Sequence, residues 1–420
     1  MKSKEAKEPK SAVITNSPFP NNYAQEFLTF DRGRGVHLAD VSGKKYLDFG
    51  AGIAVNALGY GRKDLARIAA RQMRKIVHIS NLYTTEPAIR LGTMMTATTP
   101  CASKPFSAVH FGNSGTEANE AAIKYARLYA YETRGPGHAK ILSFDNAFHG
   151  RTLGALAVTP NPAYKTKFEP LMPGVAHTPF NDIETLEKTL SNEFAAVIVE
   201  VVQGEGGLSV MTREFADALS ALCEKHDVVL IADEIQTGIG RTGTLYASEM
   251  VSLRPDIVTL SKPLGGGLPL SATLIPEKIN ALLKPGDHGT TFGGGPVTTA
   301  VSARVWEVIT NPAFLERVRA TADHLDTRLR EISAAHRCVA GLRGAGLLRG
   351  IELAYPSDTA SEAVGTVMSR ARSHGLLVLR SGKNVVRIAP PLVITAAEID
   401  AGIAILDSIL GGLDEGAVER

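Results

Sequence analysis

The chain has 420 residues, of which 44% are hydrophobic and 21% charged, and its formal net charge is +2. That length exceeds one small domain and allows a large core plus a second, smaller domain. The near-neutral balance gives no case for a nucleic-acid or acidic-membrane partner, and no run of about 18 apolar residues offers a membrane span.

Residues 1–20 are charged and Pro-containing, without an apolar stretch, and are expected to form a flexible lead-in rather than a secretory signal. Val36–Asp48 alternates like a short hairpin with Ser42-Gly43 at its turn, and Lys63–Lys75 has helical spacing. Apolar runs of strand length follow: Phe106–Phe111, Ala139–Phe144, Ala195–Val202, Val228–Ala232, Asp256–Leu260 and Leu270–Ile275. Helical segments such as Glu117–Tyr131 and Glu214–Lys225 fall between them. Near-continuous apolar strands alternating with amphipathic helices predict a mostly parallel sheet covered on both faces, with its ligand at the strands' C-terminal ends.

Beyond Pro296 the pattern changes. Val297–Ile309 and Leu315–Ser333 read as long helices, and Val339–Leu353 as strands around Gly341, Gly344 and Gly346. Two short strands, Leu376–Leu379 and Val385–Ile388, precede a terminal helix near Ala397–Leu410. The expected division is an N-terminal segment (1–75) joined to the smaller domain, a large α/β domain (76–305), and a smaller α+β C-terminal domain (306–420). Cys101, Cys223 and Cys338 form no CxxC pair, which fits a reducing, cytoplasmic setting better than a disulfide framework.

Three segments carry chemistry. Lys262 ends an apolar strand and stands before Pro263 and three glycines. The proline should hold it extended, and a desolvated amine there is a nucleophile toward carbonyls. By itself this is equally a surface lysine on a loop. Asp233 ends the apolar run VVLIA, where a buried carboxylate needs a cation or donor. A pyridine nitrogen is one such partner; a helix cap or an ion pair with Arg241 is another. Gln236 is placed to donate to a phenolate oxygen of the same ring. Ser114, Gly115 and Thr116 lie where a strand turns into a helix, an anion site for a phosphate. Equally, Thr116 with Asn119 or Glu120 makes an ordinary capping box. An amine for an aldehyde, a carboxylate for a ring nitrogen and a cup for a phosphate are together the needs of pyridoxal 5'-phosphate.

The chain resembles the class III (ω-amino-acid) aminotransferases of the fold-type-I pyridoxal-phosphate superfamily over about residues 25–410. The resemblance lies in NSGTEANEAAIKYAR, FHGRT, VIVEVVQGEGG, IADEIQTGIGRTG, TLSKPLGGG, HGTTFGGGP and NVVRIAPPL, in that order. It implies a seven-stranded, mostly parallel sheet sandwiched by helices, plus the smaller domain. It implies that Lys262 is the Schiff-base lysine, Asp233 the ring-nitrogen partner, and Gln236 a contact near the phenolate oxygen. Ser114, Gly115 and Thr116 match the phosphate cup, and Phe148 the aromatic against the ring. Arg151 matches the arginine that grips the substrate's distal carboxylate. Thr291 matches a phosphate contact from the neighbouring subunit, which implies a homodimer with shared active sites. Glu205 and Arg387 match a switch pair: the arginine binds the α-carboxylate of glutamate in one half-reaction, and the glutamate neutralises it in the other. Read without the resemblance, these two are a turn residue and an ordinary ion pair.

Ping-pong transfer between an ω-amine and 2-oxoglutarate is the activity implied, with no metal. GIAVNALG, SNLYTTEP and the run His288–Pro296 are most similar to the branch using N2-acetyl-L-ornithine. Ornithine-using relatives carry a tyrosine near Gly52–Ile53, and this chain has none there, which favours a blocked α-nitrogen. Ornithine, succinylornithine and 4-aminobutyrate stand as alternatives, followed by an aminomutase, a racemase or a non-catalytic binding protein. Val201, Pro263 and Gly295 depart from residues common in the family (proline, alanine and asparagine), without removing a functional group.

Overall fold

All six apolar runs become strands of one seven-stranded sheet: β1 (Phe106–Gly112), β2 (Lys140–Phe144), β4 (Phe194–Val199), β5 (Val229–Asp233), β6 (Ile257–Leu260) and β7 (Ser271–Pro276). The remaining member, β3 (Val175–Thr178), is an edge strand that the sequence pattern does not announce. These strands belong to a computed structural model that describes residues 18–23, 28–100, 103–356 and 358–418. Most of the expected lead-in, residues 1–17, and Cys101 lie outside the described residues.

The spatial order is β1-β7-β6-β5-β4-β2-β3. Every pairing is parallel except the two made by β7. Successive side chains of a strand point to opposite faces, and here both faces are dry. Leu142, Val197, Val199, Leu230 and Val258 enter one core cluster. Their neighbours Ile141, Ala196, Ile198, Ile231 and Ile257 enter another. Double-sided burial is why the strands read as unbroken apolar runs. Each such side chain contributes roughly 1.5–3 kcal/mol relative to an exposed one.

The helix Gly115–Arg134 covers the second cluster with Ala121, Ala122, Ile123, Ala126 and Ala130, small residues that bring its backbone close to the sheet. On the opposite face, Arg213–His226 inserts Phe215 against Phe144 with ring centroids 5.4 Å apart.

Two four-stranded sheets flank this layer. The first pairs Phe30–Arg34, His37–Asp40 and Lys45–Asp48 with Leu376–Leu377, so the N-terminal segment closes on the C-terminal part of the chain. Its Ser42-Gly43 turn is tied by Asp40, whose Oδ1 accepts from the Ser42 and Lys44 amides at 2.9 and 3.0 Å. The second joins Val339–Ala345, Leu348–Leu353, Val385–Ile388 and Leu379–Ser381. Helices Pro312–Ala335, Ala360–Ser373 and Ala396–Val418 pack around it. The helix Pro296–Ile309 runs through residue 305, and the chain breaks at Thr310–Asn311, where the Asn311 side chain accepts from the Ala313 amide.

Candidate active site

Five parallel strands deliver their following loops to one cleft of about 730 Å³ at the C-terminal edge of the sheet. The turn after β1 brings Asn113 to Thr116, and the loop after β2 brings Phe148 to Arg151. The segment after β4 brings Glu200 and Glu205, β5 ends in Asp233, and β6 leads into Ser261 and Lys262. The C-terminal sheet adds Arg387.

Asp233 is buried, and its bonds are all with neutral or histidine donors. Its Oδ2 accepts from Asn119 Nδ2 and His149 Nδ1, each at 2.8 Å, and Oδ1 accepts from the Ile235 amide at 3.1 Å. Asn119 is itself held, donating to the His149 carbonyl and accepting from the Thr259 hydroxyl. Arg241, the alternative ion partner, lies elsewhere and donates to the Leu347 and Pro390 carbonyls.

Lys262 opens partly onto the cleft, but protein surrounds its amine. Burial lowers its proton affinity, against the opposing pull of Asp233. The extended backbone expected before proline is not found. Lys262 has φ +26° and starts a 3-10 turn over Lys262–Gly265. The Leu264 amide bonds the Ser261 carbonyl, and the Ser261 hydroxyl bonds the Leu270 carbonyl, which together override the local preference.

Ser114, Gly115 and Thr116 form the N-terminus of the 20-residue helix. The capping box is made by Ser114 and Glu117, not by Thr116: the Glu117 carboxylate accepts from the Asn113 and Ser114 amides. Thr116 Oγ1 instead meets Thr152 Oγ1 at 2.8 Å. A Cβ on Gly115 would lie 2.7 Å from Ile235 Cγ2, so only glycine lets the helix start reach the turn after Asp233.

Arg387 and Glu205 form an ion pair at 2.7 Å, and Arg387 Nη1 also donates to the Gly204 carbonyl at 3.0 Å. The Arg387 Nε is buried without a partner among the described residues. Gln236 faces the cleft beside Gly204, where a Cβ would fall 1.7 Å from its Oε1. The Ser381 hydroxyl donates to the Gly204 carbonyl and accepts from the Gly207 amide, tying this turn to the C-terminal sheet. Arg151 is exposed and stacks on Tyr164, 3.6 Å from the ring centroid, and less closely on Phe148 at 5.5 Å. Thr291 is exposed and is not among the residues lining this chain's own cleft.

Sequence reasoning missed four groups. Glu200 is buried and accepts from the Phe148 and Gly204 amides, which straps the two walls together. Burial raises its pKa above the usual carboxylate range, with His149 pulling down and Asp233 pushing up. Like Asp233 it ends an apolar run, and that signal was available. Asn119 and His149 had none, because their partner Asp233 is distant in sequence, and Tyr164 had none because its contacts are made only by the folded loop. A further feature is the turn Ala51–Ala54, whose four residues have φ of 48°, 62°, 61° and 63°. A left-handed turn through β-branched Ile53 is strained. Asp48 holds it by accepting from the Gly50 and Ala51 amides, and the turn presents Ile53 to the cleft.

The cleft fits pyridoxal 5'-phosphate. It combines an amine of lowered proton affinity, a buried carboxylate, an aromatic face and a helix N-terminus whose amides are open to an anion.

Comparison with known proteins points the same way. The family model described as aminotransferase class-III matches residues 19–410. A probable mitochondrial acetylornithine aminotransferase of Dictyostelium discoideum is 42% identical, over 91% of this chain and 83% of that protein. A succinylornithine transaminase of Yersinia enterocolitica is 42% identical, over 91% and 92%. Among solved structures, an ornithine aminotransferase of Toxoplasma gondii with partial PLP occupancy at its active site has a TM-score of 0.88 and 30% identity, covering 95% of this chain and 93% of that one.

Proposed function

The chain belongs to the class-III aminotransferases, and on that premise we propose that it moves the δ-amino group of N2-acetyl-L-ornithine to 2-oxoglutarate. The products are N-acetyl-L-glutamate 5-semialdehyde and L-glutamate, a step of arginine biosynthesis. The observation that carries this reading is one cleft with two arginines of opposite state. Arg387 is neutralised by Glu205, while Arg151 has no protein acceptor among the described residues. An ω-amine with a distal carboxylate fits that state: the free arginine takes the carboxylate and the neutralised one tolerates an approaching amine. Glutamate needs Arg387 released, and Glu205, at the cleft wall, is the group that lets go.

When bound, pyridoxal 5'-phosphate would supply an aldehyde whose carbon carries the amino group between half-reactions and an electron-withdrawing ring. Lys262 would hold it and would carry a proton to and from the reacting carbon through Nζ. Its lowered proton affinity suits both roles. Asp233 would keep negative charge beside the ring nitrogen, and its bonds to Asn119 and His149 fix the carboxylate's plane. Gln236 would donate to the ring oxygen, Phe148 would face the ring, and Ser114, Gly115 and Thr116 would hold the phosphate. Ile53 offers no polar partner to a free α-ammonium, which supports a blocked α-nitrogen.

We further read the protein as a cytoplasmic homodimer in which Thr291 completes the partner's phosphate site. Ile76, Val77, Leu82, Tyr83, Ile89 and Phe292 are exposed apolar side chains around that segment, a surface suited to a second copy. Buried free thiols at Cys223 and Cys338 suit the cytoplasm.

The test is a donor panel with 2-oxoglutarate as acceptor. N2-acetyl-L-ornithine should give the highest kcat/KM among it, N2-succinyl-L-ornithine, L-ornithine and 4-aminobutyrate. Preference for any of the other three would overturn the substrate, and turnover without any keto acid would replace transamination by isomerisation.

A further inference from the structure

Arg151 is exposed on a loop, and no described residue accepts a hydrogen bond from it, so nothing polar fixes its guanidinium. What it has is a ring. Tyr164 lies 3.6 Å from the guanidinium carbon, centroid to carbon, and stands at 90° to Phe148 with ring centroids 6.5 Å apart. The two aromatics form a corner, and the cation sits against the Tyr164 face. A guanidinium stacked on a ring has its donors in the plane parallel to that ring, and a carboxylate is gripped by two parallel donors along one edge of the plane. The ring therefore determines the direction in which Arg151 can take a carboxylate.

The platform is anchored. Tyr164 belongs to the short turn Pro162–Lys165, capped by the Asn161 side chain, which accepts from the Ala163 amide at 3.1 Å. Lys165 Nζ donates to the Ala157 carbonyl at 3.0 Å and lies 3.3 Å from His177 Nε2. His177 is on β3, and its Nδ1 meets the Ser143 hydroxyl of β2 at 2.7 Å. The ring is thus linked to the central sheet through its neighbouring residue, while its own hydroxyl has no partner among the described residues. Tyr164 lines the same cleft as Arg151 and Lys262.

We propose that Tyr164 is a positioning residue: its ring face orients Arg151 and so selects amines that carry a distal carboxylate. This rests on the reading of Arg151 as the carboxylate grip. The ring is the working part and the hydroxyl is not, so phenylalanine should serve and an aliphatic side chain should not.

The test uses the cofactor-loaded enzyme and its Tyr164→Phe, Tyr164→Leu and Arg151→Gln variants. The probe is N-acetyl-L-norvaline, which keeps the distal carboxylate and acetamide of N2-acetyl-L-ornithine but has no amine to react. Titration calorimetry should show binding weakened about three- to thirtyfold by Tyr164→Leu, the span of a cation–π contact from exposed to desolvated. Tyr164→Phe should stay within about twofold of the parent. The ratio of kcat/KM for N2-acetyl-L-ornithine over n-pentylamine, an amine with no carboxylate, should fall by the same factor in Tyr164→Leu, through KM rather than kcat. If Arg151→Gln binds the probe as the parent does, the reading of Arg151 fails. If Arg151→Gln weakens it and Tyr164→Leu does not, the proposal fails alone. An unchanged donor ratio in Tyr164→Leu makes Tyr164 merely structural, and an equal loss in Tyr164→Phe assigns the role to the hydroxyl; either overturns it.

Discussion

Replacing Glu205 by alanine separates the two half-reactions. In the structure Arg387 is 5% exposed at its side chain and Glu205 35%, with 2.7 Å between Nη1 and Oε1. Without Glu205, Arg387 retains the Gly204 carbonyl, and its Nε already lacks a partner among the described residues. A hydrogen bond between charged groups is worth about 1.5–3 kcal/mol. Because Glu205 is about one third exposed, solvent screens the pair and the lower part of that range applies. About 1.5–2 kcal/mol corresponds to a rate change of roughly ten- to thirtyfold. That loss should fall on the half-reaction with N2-acetyl-L-ornithine, where Arg387 would face an amine with its charge uncompensated. With L-glutamate the substrate's own α-carboxylate replaces Glu205, and the rate should change less than about threefold. Rapid mixing of loaded enzyme with each amino donor, followed by cofactor absorbance, reads the two rates independently. Equal losses in both would refute the switch and leave Glu205 as a general support of the cleft.

Asp233→Asn keeps an oxygen for Asn119 and His149 but removes the charge. An adjacent opposite charge commands about one to three pKa units, so single-turnover rates should fall about ten- to a thousandfold while circular dichroism stays that of the parent. An unchanged rate would make Asp233 a structural anchor only. His336 tests pH dependence away from the cleft. Burial pulls its pKa down, but the carboxylates of Asp407 and Asp414 outweigh this and hold it above the usual histidine value of about 6.5. A group whose folded pKa is raised binds more protons folded than unfolded, so its stabilisation is full below about 6.5 and is lost as pH rises through the folded value. His336→Gln should therefore speed opening of the helix Ala396–Val418 at pH 6 relative to the parent, and the difference should shrink by pH 9, when hydrogen exchange is compared at equal intrinsic rate. A difference that grows with pH would contradict it.

The strands legible in the sequence are those buried on both faces, where Ile, Val and Leu run without interruption. Val175–Thr178 was hidden because an edge strand with His177 and Thr178 has no such run, and Phe30–Arg34 because FDRGR is mostly polar and exposed. The helix Ala360–Ser373 carries few large apolar residues, and in Glu86–Thr96 Gly92 and two threonines interrupt the apolar spacing, so neither stands out in the sequence. Lys262 shows a local rule yielding to its surroundings. A pre-proline residue prefers extended backbone, yet strand end, turn and cleft place it at φ +26°. Within the site, Lys262 and Asp233 were visible because a charged residue ending an apolar strand is itself a signal. Glu200 gave the same signal and was overlooked. Asn119 and His149 acquire meaning only through Asp233, which lies 114 and 84 residues away along the chain. No pattern within a segment records such a partner.

The central claim is that Lys262 is the amine by which this cleft holds its cofactor, and it is the one lysine among the described residues that line the cleft. Borohydride reduction of the loaded protein, proteolysis and mass spectrometry test it directly. The cofactor mass should appear on the peptide containing Lys262 and on no other, and Lys262→Ala should carry no covalent cofactor and sustain no turnover. Label on a different lysine, or turnover retained in Lys262→Ala, would contradict the account.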